Sequence, residues 1–226
     1  MGSLLKLRVL SEVFSSALHE LSQPLTMMNF AAETLSLLAE KPPTSIANEL
    51  SELSTQIRQG ALRQKAILEL LSDLVKGNTL ERRINLHEFL ESALRLFRSR
   101  LGALRIHTQT RLTAAQPFLR VPSGPLSLFI FLILCDAITH AERVDRRRRP
   151  KLSIKTRQRR NCLELKCQYT TVHLATTKEL EAREKGFLNL LRSLAQALHA
   201  SVTVSRQASR SLTLVEANFS QLDKQA

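Results

Sequence analysis

The sequence predicts an α+β fold: a long antiparallel helical hairpin that forms a dimeric four-helix bundle, followed by an α/β sandwich. Three observations point to it. A seven-residue apolar repeat runs from Leu7 to Leu38, a looser copy follows from 45 to 76, and after residue 80 the pattern changes to short alternating strands with helices between them. The expected division is a hairpin over residues 1–78 and a sandwich over 79–226.

In the first helix Leu7, Phe14, Leu21, Met28 and Leu35 occupy one heptad position, with Leu10, Ala17, Ala31 and Leu38 three residues later. Leu18, Leu25, Ala32 and Ala39 widen the stripe beyond a two-stranded seam, which suits a helix of a four-helix bundle. "EKPPTS" at 40–45 stops the helix, because the residue before each proline is pushed out of the helical region. Thr44 or Ser45 can cap the next helix, with Glu49 in reach of a capping box. That second helix carries Ile46, Leu50, Leu53, Ile57, Ala61, Leu68, Leu71 and Val75, and "KGN" at 76–78 ends it. A hairpin alone cannot cover so wide an apolar stripe, so pairing with a second copy is expected.

Beyond residue 80, "INLHEFLESALRLFRSRL" reads as a helix, "RIHTQTRL" as a strand and "SLFIFLILCDAITHAERV" as a buried helix. "KLSIKTRQ" and "NCLELKCQY" read as hairpin strands, "GFLNLLRSLAQALHA" as a helix and "SVTVSRQASRSLTLVEANF" as a final hairpin. Helices on one face of a mixed sheet are expected.

Composition narrows the function classes. Of 226 residues 43% are hydrophobic, enough for a real core. The three cysteines form no CxxC and suggest no metal site, and a reduced intracellular protein is the simplest reading. The longest apolar run, "PLSLFIFLILC" at 125–135, falls short of the roughly 20 residues a membrane span needs, and no signal-peptide pattern is seen, so a cytoplasmic location is expected. A net charge of +13 calls for an acidic partner. With no Trp and a single Tyr there is no stacking platform, which argues against nucleic acid.

The chemistry gathers in "HELSQPL" at 19–25. With Phe14 and Leu21 in the core, His19 falls on the heptad position that faces water. Glu20 beside it is able to take or orient an imidazole proton, and Gln23 lies one turn along the same face. Pro24 lacks an N–H, crowds the carbonyl of Glu20, weakens a helix by about 3 kcal/mol and should bend it there.

"HELSQPL", continued by "TMMNFAAETL", resembles the phosphoacceptor box of sensor histidine kinases, whose oxygen- and dicarboxylate-sensing types read HELNQPL; Ser22 is the one departure. The resemblance implies that the hairpin is a dimerisation and histidine-phosphotransfer domain. His19 would carry the phosphoryl group and Glu20 would assist proton removal, while response-regulator receiver domains would supply the aspartate and its Mg2+. It also implies receiver docking near Phe14, Ser15, Leu18, Ser22 and Thr26. If the basic stretch at 142–160 faced that side, it would assist encounter with an acidic receiver. Relatives that dephosphorylate receivers carry Asn or Thr where this chain has Gln23, so phosphatase activity is not implied.

The second half resembles the ATP-binding domain of the same kinases, but its boxes are altered. In the segment similar to NLLxNAxxA, Leu132 replaces the first asparagine and Asp136 the second. "YTTVHLATT", where DxGxG is expected, has neither aspartate nor glycine. Gly186 is kept, but Leu188 fills the second glycine position of the phosphate loop, and Ala200 and Ser201 replace the last pair. A carboxylate at Asp136 suits a hard metal yet has no visible helpers. The expectation is therefore a phosphorelay histidine phosphotransferase that binds neither ATP nor a metal of its own. A diverged active kinase and a non-enzymatic dimeric scaffold are the two rivals.

Overall fold

The computed structural model of the chain describes residues 2–38, 47–77, 79–144, 149–160, 162–171, 178–207 and 211–220. The helix stop and cap expected at 40–45 and most of "YTTVHLATT" lie outside these residues. Helix α1 (Gly2–Leu38) and helix α2 (Ala47–Lys76) pack along each other as the hairpin. α2 ends where Gly77 takes a left-handed conformation (φ +55°), which a side chain resists and a helix C-terminus favours.

α1 continues as one helix through Pro24. The proline ring is buried at the seam with α2. Opposite it stands Gly60, where an added Cβ would meet Met28 Cγ at 3.0 Å and the Pro24 carbonyl oxygen at 3.6 Å. The proline therefore packs where the two helices come close together, and a glycine at 60 leaves room for that approach.

Strand β1 (Glu81–Asn85) leads into helix α3 (Leu86–Leu96), which the Asn85 side chain caps by accepting from the His87 N–H at 3.0 Å while donating to Glu88 at 2.8 Å. α3 turns at buried Phe97 into helix α4 (Arg98–Ala103). Strands β2 (His107–Leu112) and β3 (Phe118–Pro122) follow, then helix α5 (Ser123–Ala141). The chain closes with β4 (Lys151–Arg159), β5 (Cys162–Thr170), α6 (Lys178–Ala197), β6 (Ala200–Gln207) and β7 (Leu212–Ser220).

β1 and β3 pair antiparallel, Ile84 opposite Leu119, as a two-stranded sheet that the sequence reading did not foresee. The main sheet runs β2-β4-β5-β7-β6, with β2 parallel to β4 and the other pairs antiparallel. α5 is the centre of the core, its Phe131 edge-on to Phe97 at 5.9 Å and its Phe129 edge-on to Phe219 at 6.1 Å. It is long and apolar enough to cross a membrane, but 94% of it is buried inside the fold.

The hairpin is not a separate stalk. Val9, Val13 and Ala17 of α1 and Leu70, Leu71 and Leu74 of α2 share one continuous core with α5 and the sheet. Farther along, Ala31, Leu38 and Leu53 form a smaller cluster within the hairpin. Burial of each valine stabilises this docking by about 1.5–3 kcal/mol. The heptad phase is thus half met: Ala17, Ala31 and Leu38 are buried, whereas Leu7 and Phe14, expected in the same core, are exposed.

Candidate functional site

The three faces of α1 separate by helical geometry. At about 100° per residue, Ser15, Ser22, Gln23 and Thr26 fall within about 60° of His19, and all five side chains are exposed. Leu7, Phe14, Leu18 and Leu25 gather on a second, apolar stripe, exposed in the single chain. The third face carries Val9, Val13, Ala17, Pro24 and Ala31 and is the buried one. Ser22 Oγ donates to the Leu18 carbonyl at 2.7 Å and Thr26 Oγ1 to the Ser22 carbonyl at 3.0 Å, so both hydroxyls are satisfied along the helix. Phe14 and Leu18, read as receiver contacts, therefore belong also to an apolar stripe that no element among the described residues covers.

Glu20 is half-buried and turned toward α4, where its Oε1 accepts the Ser99 backbone N–H at 3.1 Å. The next residue of α4, Arg100, binds Glu12 of α1 through one guanidinium nitrogen and Glu142 through the other, the latter at 2.7 Å. One ion pair and one N–H thus fasten α4 to α1 on either side of His19. Between α1 and α3–α4 lies an open groove of about 550 Å3 into which His19, Ser15, Ser16 and Arg100 face. Behind Glu20 and Gln23 a smaller cleft of about 180 Å3 is floored by Pro24, Ile67 and Leu70 and flanked by Arg95 and Arg98. Glu12, Ser99 and Arg100 carry no local sequence signal, because their meeting depends on how the two halves dock.

Of the positions read as altered nucleotide boxes, Leu132 and Asp136 lie on α5, Gly186 and Leu188 on α6, and Ala200 and Ser201 at the start of β6. Leu132 and Asp136 are both buried, and the space beside them is about 20 Å3, walled by Leu5, Arg8 and Val9 of α1 and by Phe187. Such a space admits about one water. The Asp136 carboxylate accepts the Tyr169 hydroxyl at 2.6 Å and stands 3.6 Å from His140 Nε2. Burial, then the Asp136 charge and the hydrogen bond to it, hold the Tyr169 phenol well above its ordinary range. Burial pushes the Cys135 thiol up to about 12, outweighing the pull of Arg100 and Arg8. Leu188 lies half-buried against the core, and a Cβ added at Gly186 would meet nothing within 4 Å, so no close backbone approach requires that glycine.

The basic side chains of β4 do not face the histidine, and residues 145–148 of the basic stretch lie outside the described residues. Lys151, Lys155, Arg157 and Arg159 alternate with buried Leu152, Ile154 and Thr156, which places them on the open face of the sheet, opposite the core that α1 joins. For β4 the expected assistance to receiver encounter is corrected accordingly: the strand period of two aims these basic side chains away from α5 and α1.

No family model matches the sequence, and no curated protein matches it. Solved structures do match in fold. The histidine kinase AdeS of Acinetobacter baumannii superposes with a TM-score of 0.51 at 17% identity, over 91% of this chain and 98% of that one. Histidine kinase ThkA, solved in complex with the response regulator TrrA, gives 0.51 at 11% identity over 97% of this chain and 64% of that chain. The catalytic domain of ThkA alone gives 0.51 at 11% identity, over 62% of this chain and 95% of that one. A long helical hairpin, then a mixed sheet with α5 and α6 on one face: the fold of this chain is that of a histidine-kinase transmitter region.

Proposed function

We propose that the chain is a dimeric histidine phosphotransferase of a two-component phosphorelay, passing a phosphoryl group between receiver aspartates through His19 without binding ATP. The observation that carries the reading is the pairing of an exposed His19 on the polar face of α1 with a nucleotide face that α1 itself covers, leaving about 20 Å3 beside Leu132 and Asp136. The exposed stripe Leu7, Phe14, Leu18 and Leu25 supports a second copy as its cover. Ser15, Ser22 and Thr26, with Leu18 at their margin, are the surface a receiver domain would meet, while Phe14 lies farther round, on the stripe given to the second copy.

In the transfer step a ring nitrogen of neutral His19 attacks the phosphorus of the receiver's aspartyl phosphate. The N–P bond forms as the P–O bond breaks, and the aspartate leaves as a carboxylate. The proton on the other ring nitrogen then becomes acidic and passes to water, or to Glu20 once that carboxylate turns from Ser99. Gln23, one turn along the exposed face, is placed to steady the ring or the attached group. Little more is required of the protein than position, since the chemistry is in-line displacement between held groups. Mg2+ bound by the receiver supplies charge neutralisation on the phosphoryl oxygens.

Titration with a fluorescent ATP analogue, alongside incubation with ATP, tests the reading against an active kinase. No saturable binding and no phosphate on His19 are expected. Saturable binding with labelled His19 would establish the kinase reading instead.

A further inference from the structure

We propose that Arg100 is a phosphoryl-holding residue: once His19 is phosphorylated, the Arg100 guanidinium exchanges Glu12 for the phosphoryl oxygens and protects the N–P bond from water. The inference rests on His19 being a phosphoacceptor and deepens that reading. Four observations carry it. His19 and Arg100 face the same groove between α1 and α4. Arg100 is only partly buried and is held by side chains alone, Glu12 and Glu142, so it can change partners without disturbing the backbone. Ser16, three residues before His19, lines the groove with its hydroxyl buried and without a hydrogen-bond partner. Glu12 and Ser16 also lie on the His19 side of α1, within about 60° of it, so guanidinium, hydroxyl and imidazole address one space.

The exchange follows from charge. A phosphoryl group carries about −1.5 to −2 and three strong acceptor oxygens, against a single negative charge on Glu12. A planar guanidinium matches those oxygens in a two-pronged hold. Ser16, which lacks an acceptor in the unphosphorylated groove, gains one. The sandwich is thereby fastened more firmly to α1 when His19 is loaded, and a receiver aspartate has to draw the phosphoryl group from Arg100.

The test phosphorylates the whole chain with phosphoramidate, which needs no protein donor, and follows each phosphohistidine by mass spectrometry. His107 and His199, both exposed, serve as internal references. The phosphate on His19 is expected to outlast theirs by about tenfold, equivalent to about 1.4 kcal/mol. Arg100→Ala should reduce the His19 lifetime to that of the references, with Arg100→Lys in between. Glu12→Gln, which frees the guanidinium, should lengthen it, whereas mere loosening of the docked halves would shorten it. Equal lifetimes for His19 and the references in the unaltered chain, or a Glu12→Gln variant as short-lived as Arg100→Ala, would overturn the proposal. Because the donor is chemical, these outcomes stand apart from failure of receiver-to-His19 transfer, which would overturn the phosphotransferase reading alone.

Discussion

Alkaline pH should unfold this protein steeply, and Cys167 allows the slope to be worked out. Its side chain is 2% exposed on β5, facing α5, and burial alone raises the thiol from 9.0 to about 12. The folded state therefore favours the protonated thiol. Below pH 9 both folded and unfolded chains carry that proton, and the stabilisation is fully present. Between pH 9 and about 12 the unfolded chain releases the proton while the folded chain keeps it, so stability falls as pH rises, by about 1.4 kcal/mol per pH unit for this one group. Across the whole window the loss is about 4 kcal/mol. Cys135 has the same shift and adds a parallel loss, and Tyr169 adds another above its ordinary value of 10.0. Urea unfolding measured from pH 7 to 11 on the unaltered chain and on Cys167→Ala isolates the single contribution. The variant starts lower at pH 7 because of the cavity, but its stability should decline less steeply, by about 1.4 kcal/mol per pH unit between pH 9.5 and 11. Parallel curves would refute the reasoning, since they would mean that the buried thiol ionises as readily as one in water.

In the proposed dimer the unaltered chain should run at twice its own mass and Leu25→Glu at one: by symmetry the change removes two apolar side chains from the paired stripe, about 3–6 kcal/mol, or two to four orders of magnitude in Kd. Light scattering coupled to gel filtration checks this, and an unchanged mass would place the pairing surface elsewhere. Asn85→Ala should cost about 1 kcal/mol and lower the Tm by about 2–4 °C, because it removes the side chain that caps α3; differential scanning calorimetry reads the shift.

Much of this architecture was legible in the sequence because it depends on period. The 3.6-residue and two-residue patterns marked both hairpin helices, α5, and strands β4 to β7, and every one of these is present. β1 and β3 escaped notice because each is only five residues long, "ERRIN" reads as polar, and the partner that stabilises it lies more than thirty residues away. The heptad on α1 revealed that the helix is apolar over much of its girth. It could not say which stripe meets the sandwich, and the answer is Val9, Val13 and Ala17, with Leu7 and Phe14 left outward. His19 was legible as an exposed imidazole, since its position follows from phase alone. Its surroundings were not: Ser99 against Glu20, and Arg100 between Glu12 and Glu142, are joined across roughly 80 or more residues in the first two pairs, and only docking brings them together. Pro24, legible in the sequence only as a residue that weakens and bends a helix, is a buried packing residue opposite Gly60.

The central claim is that His19 accepts phosphate from a receiver aspartate. Mixing the chain with a receiver carrying 32P on its aspartate, then separating the two, tests it most directly. The account predicts an acid-labile label on this chain that disappears in His19→Gln while the receiver keeps its own. A label that stays on the receiver in the presence of the unaltered chain, for every receiver tried from the same genome, would contradict it.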